Sequence, residues 1–422
     1  MTFDEALEYL YSRLKFGSVP GLERIRALCA LLGNPQDKLR YIHVAGTNGK
    51  GSICSMISNM LISAGYKTGL FISPYVTHFT ERIQINSRMI TESEFADLMA
   101  EIKPLVEQLD SRGITPTEFE VLTAAAFLYY YKNGCDIVVL EVGLGGLCDS
   151  TNLIKSPDVC VITSVSYDHT NILGDSIEDI AAHKCGIIKQ GSAVVSYSQM
   201  FEQVSGIIAE TAKEHSCPLY CCDKNEIKNA SVGEFGCEFT YKGFNLKTSL
   251  IGEHQIYNAA TAFEAAQAMR SKGIRLSDTD IYCGVLKAGM PARLQVVSRN
   301  PLIVIDGAHN PDGIAALVKC LNTVFKAYET VAVMGMMKDK DVEKSVSLIA
   351  PNFKRAAAVT VDNPRSMKSY ELSGIIKKYC SDVSEYSDSM QAFSQMKDSL
   401  KEGEMLLVCG SLYLASEIEE YL

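Results

Sequence analysis

The stretch Gly46-Thr-Asn-Gly-Lys-Gly-Ser52 decides how this chain is read. It follows the apolar run Tyr41 to Ala45, which reads as a buried strand. It opens a helix, because Ile53, Met56, Ile57, Met60 and Leu61 recur at helical spacing and Gly65 supplies an end. Thr68 to Ile72 is the next strand, completing a βαβ unit. Backbone N–H groups at such a helix start, with the helix dipole, stabilise phosphate oxygens. The glycines let the backbone approach, Lys50 adds a charge for the β- and γ-phosphates, and Ser52 offers a hydroxyl to Mg²⁺. The strict GxxxxGK[ST] spacing is not met, since Gly51 separates Lys50 from Ser52. A glycine-rich turn with a surface lysine is the plainer alternative.

Outward from this unit the alternation continues. Ile137 to Leu140, Val159 to Thr163 and Ala193 to Ser196 are short, almost wholly apolar runs, as expected of parallel strands covered on both faces. The pattern restarts with Leu302 to Ile305, Thr330 to Val333, Ala356 to Val361 and Met405 to Val408. Gly289 and Pro291 break periodicity between Lys287 and Pro291. The expected domains are therefore 1–290 and 291–422, both α/β. Lys224 to Lys247, with Gly, Asn and aromatics in alternation, reads as a small β excursion.

A length of 422 residues suits two to three domains. Forty basic against 50 acidic residues leave a net charge of −10, with 47% hydrophobic and 21% charged. That excludes a disordered chain and disfavours one built to grip nucleic-acid backbone. No apolar run reaches 18 residues. The longest, Val121 to Tyr131, suits a buried helix. The acidic, amphipathic start MTFDEALEYL is no signal peptide, so a cytoplasmic location is expected. Most of the 14 cysteines sit singly in apolar segments. Cys217, Cys221 and Cys222, near His215, lack the paired spacing of a zinc site, and reduced thiols are expected.

Polar residues follow several strands at their carboxyl ends, the edge where open α/β sheets bind ligands. Ser73, Glu141 and His169 would gather there beside the phosphate loop, and Asp306, His309 and Asn310 follow a later strand. Oxygen donors suit Mg²⁺, an imidazole less so. Singly, each has a bland reading as a turn, a cap or a loop histidine. Thr117 and Glu120 fit a capping box. Lys184 lies in a helical stretch where a solvated lysine is the default. His254, Gln255 and Asn258 fall at a helix start, and Arg293 is either a surface arginine or a charge clamp at the junction.

Taken in order, GTNGKGS, SPYVTHFTERIQIN, EVGLGG, DSTN, YDHTNILG, HKCGIIK, GEHQIYNAATA, PARLQVV, DGAHNP and GSLYL run from residue 46 to 414. In them the chain resembles the folylpolyglutamate synthase/dihydrofolate synthase family of Mur-type ATP-dependent ligases. The resemblance implies a P-loop Mur-ligase-type domain with a mostly parallel sheet and a smaller, Rossmann-like C-terminal α/β domain. It implies ATP-dependent joining of L-glutamate to a folate or to dihydropteroate through an acyl phosphate. By the same resemblance, Gly49, Lys50, Gly51, Ser52, Asn258, Arg293 and Asp306 serve ATP. Ser52, Ser73, Glu141, His169 and a carbamylated Lys184 serve two Mg²⁺ sites. Lys50, His169, Lys184, Arg293, Asp306 and His309 form the catalytic set. Thr117, Glu118, Phe119, Glu120, Cys148, Asp149 and Ser150 match pteridine-binding segments, and Ser411 lies in a motif near the glutamate site.

The chain departs from the family pattern in two places. Leu147-Cys148 replaces the usual Arg-Leu, and Met290-Pro291-Ala292-Arg293 replaces Trp-Pro-Gly-Arg, in a chain without tryptophan. These changes touch substrate preference. A Mur-type ligase for another carboxylate is the alternative, although only 45 residues precede the loop. A nucleotide-dependent switch is a third, but no N-K-x-D guanine reader is present. Small-molecule partners and a monomer are expected, without nucleic acid or membrane.

Overall fold

The computed structural model describes residues 1–17 and 19–421. They pack as two compact units. One comprises Met1–Tyr75, Phe79–Glu226 and Tyr257–Ala288; the other comprises Val76–His78, Ile227–Ile256 and Gly289–Leu422. A single cut at 290 would assign 76–78 and 227–256 to the first unit, whereas their packing is with the second.

The first unit is built on eight strands: β1 (Tyr41–Ala45), β2 (Thr68–Phe71), β3 (Ile83–Ile85), β4 (Arg88–Met89), β5 (Ile137–Glu141), β6 (Val159–Ile162), β7 (Ala193–Ser196) and β8 (Leu219–Cys221). Their order is β4-β3-β2-β5-β1-β6-β7-β8. From β2 to β8 the pairing is parallel; β3 and β4 add an antiparallel edge. Every residue of β1, β5, β6 and β7 is buried, which explains their unbroken apolar character. Two apolar cores cover the sheet, and the helix Glu118–Lys132 is buried along most of its length in one of them. Gly69 lets Tyr130 pack there: a Cβ on Gly69 would lie 2.8 Å from the ring, whose hydroxyl donates to the Leu70 carbonyl at 2.6 Å.

In the second unit, β9 (Ile227–Gly233), β10 (Gly236–Tyr241) and β11 (Phe244–Thr248) form an antiparallel meander, the expected excursion. A six-stranded sheet runs in the order β12-β13-β17-β14-β15-β16. Its strands are β12 (Gln295–Arg299), β13 (Leu302–Ile305), β14 (Glu329–Met334), β15 (Phe353–Val359), β16 (Val383–Tyr386) and β17 (Glu404–Cys409). Only β12, at the edge, is antiparallel. Among the described residues no helix is long and apolar enough to cross a membrane.

One core residue of β1 links the fold to pH. Burial, and then the charge of Lys189, lowers the pKa of His43 from 6.5 to about 3. As pH falls below about 6.5 the unfolded chain takes up this proton first, so stability present above that pH is lost on the way down. The expected loss is up to about 1.4 kcal/mol per pH unit. Urea midpoints between about pH 7 and pH 5 measure it, and His43→Leu should flatten the slope.

Candidate active site

The loop after β1 is held by the end of β6. The Thr47 N–H donates to the Ser164 carbonyl at 2.7 Å, and the Thr163 hydroxyl donates to the Asn48 carbonyl at 2.8 Å. Gly46 permits this approach, since a Cβ there would sit 1.7 Å from Thr163 Oγ1. Gly49, with φ of 85°, caps the helix Lys50–Ser63, and a Cβ on it would lie 2.5 Å from Asn258 Oδ1. Asn258 is thus seated against the loop from the helix Glu253–Ser271. The Lys50 ammonium donates to the carbonyls of Gly46 and Thr47 at 3.2 and 3.1 Å, folded over its own loop. Ser52 is buried in the first helical turn.

Glu141 ends β5 in register with Val44 of β1 and is buried. Its Oε2 accepts the Ser73 N–H at 3.2 Å, so these two expected ligands meet. Lys184 departs from the default of a solvated lysine. It is buried near the end of the helix Ile177–Cys185, where desolvation first and the charge of Lys50 second lower its pKa to about 7, against the pull of Asp168. His169 is exposed in the left-handed region, φ 51°, with Nε2 3.9 Å from the Asp168 carboxylate. Among the described residues no three His, Cys, Asp or Glu side chains gather as a metal-holding group. The expected ligand set contains only two residues of those types, Glu141 and His169.

The loop from Gly143 to Thr151 joins the two segments expected to meet the pteridine. A Cβ on Gly143 would lie 2.6 Å from the Phe119 ring, and one on Gly146 would lie 2.6 Å from the His183 carbonyl. The Leu147 N–H donates to that same carbonyl at 2.8 Å. The loop therefore spans from Phe119 to the helix carrying Lys184. Asp149 and Ser150 are buried, Leu147 and Cys148 exposed. The Asp149 carboxylate is engaged by its own loop, accepting from Leu144 N–H at 2.8 Å and from Thr151 N–H at 3.0 Å. Thr117 and Glu120 form the capping box, and Glu120 also pairs with Arg24 at 3.0 Å. Glu118 lies 3.4 Å from Arg82, while burial pushes its pKa up. Sequence reasoning missed Arg24 and Arg82, because their partners lie 96 and 36 residues away.

In the second unit, the two oxygens of Asp306 accept from Leu294 N–H and Ala308 N–H, both at 2.8 Å. Arg293 is flanked by two left-handed residues, Ala292 at φ 51° and Leu294 at φ 47°. Alanine thus occupies, under strain, the place where the family pattern has glycine. His309 Nδ1 lies 2.9 Å from the Gly307 carbonyl, which only accepts, so Nδ1 carries a proton. Ser411 caps the helix Leu412–Glu419.

A glycine-rich loop opening a helix at the edge of a parallel sheet, with a second α/β unit following in the chain, fits the Mur-type ligase that the sequence motifs imply. Family models agree: residues 44–266 match the Mur ligase middle domain, and 292–412 the Mur ligase glutamate ligase domain. A Bacillus subtilis dihydrofolate synthase/folylpolyglutamate synthase is 37% identical, over 100% of this chain and 99% of its own. The crystal structure of folylpolyglutamate synthase from Thermotoga maritima superposes with a TM-score of 0.87 at 33% identity, over 100% of this chain and 96% of its own. The Escherichia coli FolC complex with DHPP and ADP does so with 0.87 at 30%, over 100% and 97%. The chain belongs to the folylpolyglutamate synthase/dihydrofolate synthase family. It is an ATP-dependent ligase.

The Gly49 contact generates a prediction. Gly49→Ala should displace Asn258 and strain the cap, weakening ATP binding by at least about tenfold while the protein stays folded. Calorimetric titration with ATP, beside a thermal melt, measures both.

Proposed function

We propose that this enzyme joins L-glutamate to the carboxylate of a folate, of dihydropteroate or of both, through an acyl phosphate. The observation that carries the reading is the phosphate loop itself, pinned to β6 and packed on Asn258, with the buried carboxylate of Glu141 one strand away. A carboxylate is too poor an electrophile to meet an amine directly. Its oxygen attacks the γ-phosphorus of ATP and ADP leaves. The glutamate amine then attacks the acyl carbon, loses a proton, and inorganic phosphate departs. Both steps concentrate negative charge on oxygen, which is what fixed cations stabilise.

Lys50, at the loop, is the first such cation; turning from the carbonyls of Gly46 and Thr47 would bring its ammonium to the phosphates. Mg²⁺ fits the donor set here. Glu141 is a buried hard oxygen donor, Ser52 and Ser73 add hydroxyls, and Mg²⁺ usually takes one or two carboxylates with substrate phosphates rather than an all-protein cage. When bound, it would neutralise charge developing on the transferred phosphoryl group. His169 and a carbamylated Lys184 are proposed for a second ion. Burial of Lys184 favours the uncharged amine, which adds CO₂ to give an anionic carbamate and a proton. In the second unit Arg293 and Asp306 are proposed for the nucleotide, with Asp306 holding the backbone N–H groups of Leu294 and Ala308. His309 and Ser411 are proposed for glutamate. The exposed Leu147-Cys148 pair, in place of Arg-Leu, leaves the pteridine segment without that guanidinium.

ADP release with Mg²⁺, ATP and L-glutamate tests the reading, with dihydropteroate and tetrahydrofolate compared as acceptors. Turnover with both marks a bifunctional synthase, and turnover with tetrahydrofolate alone a tail-extending one. Silence with both, in protein that binds ATP, shifts the substrate to another carboxylate. Lys50→Ala should abolish turnover without unfolding the protein. In ¹³C-bicarbonate, a carbamate resonance should appear in the wild type and vanish in Lys184→Arg.

A further inference from the structure

Strand β1 contains a buried imidazole that the proposed reaction does not use. His43 is fully buried in the centre of the sheet, between Leu140 of β5 and Cys160 of β6. Its Nε2 lies 2.9 Å from Thr151 Oγ1, and its Nδ1 has no hydrogen-bond partner among the described residues. A buried acceptor left without a partner is costly. An aliphatic side chain would suit this strand at no such cost, so the retained contact to Thr151 needs a reason.

The direction of the contact follows from what lies beyond it. Thr151 Oγ1 is 2.5 Å from Asp149 Oδ1. A carboxylate only accepts, so the Thr151 hydroxyl donates to Asp149. That uses its one proton, and His43 must therefore donate from Nε2 to Thr151. Burial keeps the ring neutral, with this single N–H. A directed chain results: His43 to Thr151 to Asp149. At its far end the other carboxylate oxygen accepts the Leu144 N–H at 2.8 Å. The chain thus runs from the centre of the sheet to the loop whose Gly143 packs against Phe119.

We infer that His43 is a positioning residue for acceptor-substrate recognition: through Thr151 and Asp149 it fixes the 143–151 loop that, with Phe119, receives the pteridine end of the acceptor. The inference rests on the reading of those segments as pteridine-binding. His43 touches no substrate, and its effect is on where the loop stands.

The test compares His43→Gln, whose amide N–H reaches about where Nε2 does, with His43→Leu, which has no donor. Thr151→Val breaks the chain one link further on and keeps the test open if a His43 variant does not fold. Steady-state kinetics separate KM for the acceptor from KM for ATP, and hydrogen–deuterium exchange reads the Leu144 and Thr151 amides. His43→Leu and Thr151→Val should each raise the acceptor KM by about tenfold and speed exchange at both amides, with the ATP KM unchanged. His43→Gln should restore both readouts, and the double variant His43→Leu/Thr151→Val should be no worse than either single one. Unchanged exchange in His43→Leu and Thr151→Val overturns the positioning chain. So does equal damage to both KM values that glutamine does not rescue, which marks a packing role only. Faster exchange with an unchanged acceptor KM overturns instead the reading of this loop as pteridine-binding.

Discussion

The phosphate loop stands where it does because β6 leaves no room for a side chain at Gly46. Thr163 and Ser164 take the carbonyl of Asn48 and the N–H of Thr47, so the inner face of the turn is satisfied by protein. The outer face is then left to open the helix at Lys50. A helix start has N–H groups without intrahelical partners, and this one begins at the carboxyl edge of a parallel sheet. Glu141 and Lys184 sit where they do because β5 and the helix before β7 reach the same edge. Their burial, the raised cost of charge and the depressed pKa of Lys184 all depend on that placement.

Much of this was legible in residue order because parallel strands buried on both faces leave almost pure apolar runs. The strands β1, β6, β7 and β13 lie at or within one residue of their expected bounds. Capping chemistry is equally local, and the Thr117–Glu120 box formed as its spacing implies. The small β excursion was visible through its alternation, but its allegiance was not. Nothing near residues 227–256 states that their packing partners begin at residue 289. Long-range pairing hid other features too. Arg24 meets Glu120 and His43 meets Thr151 across about a hundred residues, and neither pair has a periodic signature. Lys184 misled for a different reason: helical spacing marks a face, and an amphipathic stretch with a lysine in it does not say which face is buried.

Several expected substrate contacts are also structural members. Asp149 accepts from its own loop, Glu120 closes a cap and holds Arg24, and Asp306 ties the backbone N–H after Arg293 to that of Ala308 in its own loop. In each case a carboxylate takes backbone or guanidinium donors at the edge of a strand or the start of a helix. Such groups are pre-oriented, which suits a site that must hold charge in place while bonds change. Replacing any of them would alter the frame together with the contact. Loss of activity alone therefore cannot distinguish the two roles.

The chain enters the second unit twice for substantial stretches, at 227–256 and again from 289 onward. Ile251, from the first visit, packs in the same core as Leu294, Val304 and Phe325 from the second. The Cys237 thiol of the meander, moreover, is bonded to the carbonyls of Leu250 and Gly252 beside that core. The two units are thus not cassettes strung end to end. A protein engineer who moved residues 291–422 onto another ligase would leave behind a wall of the transplanted core, and a graft that kept it would need two junctions in the host rather than one.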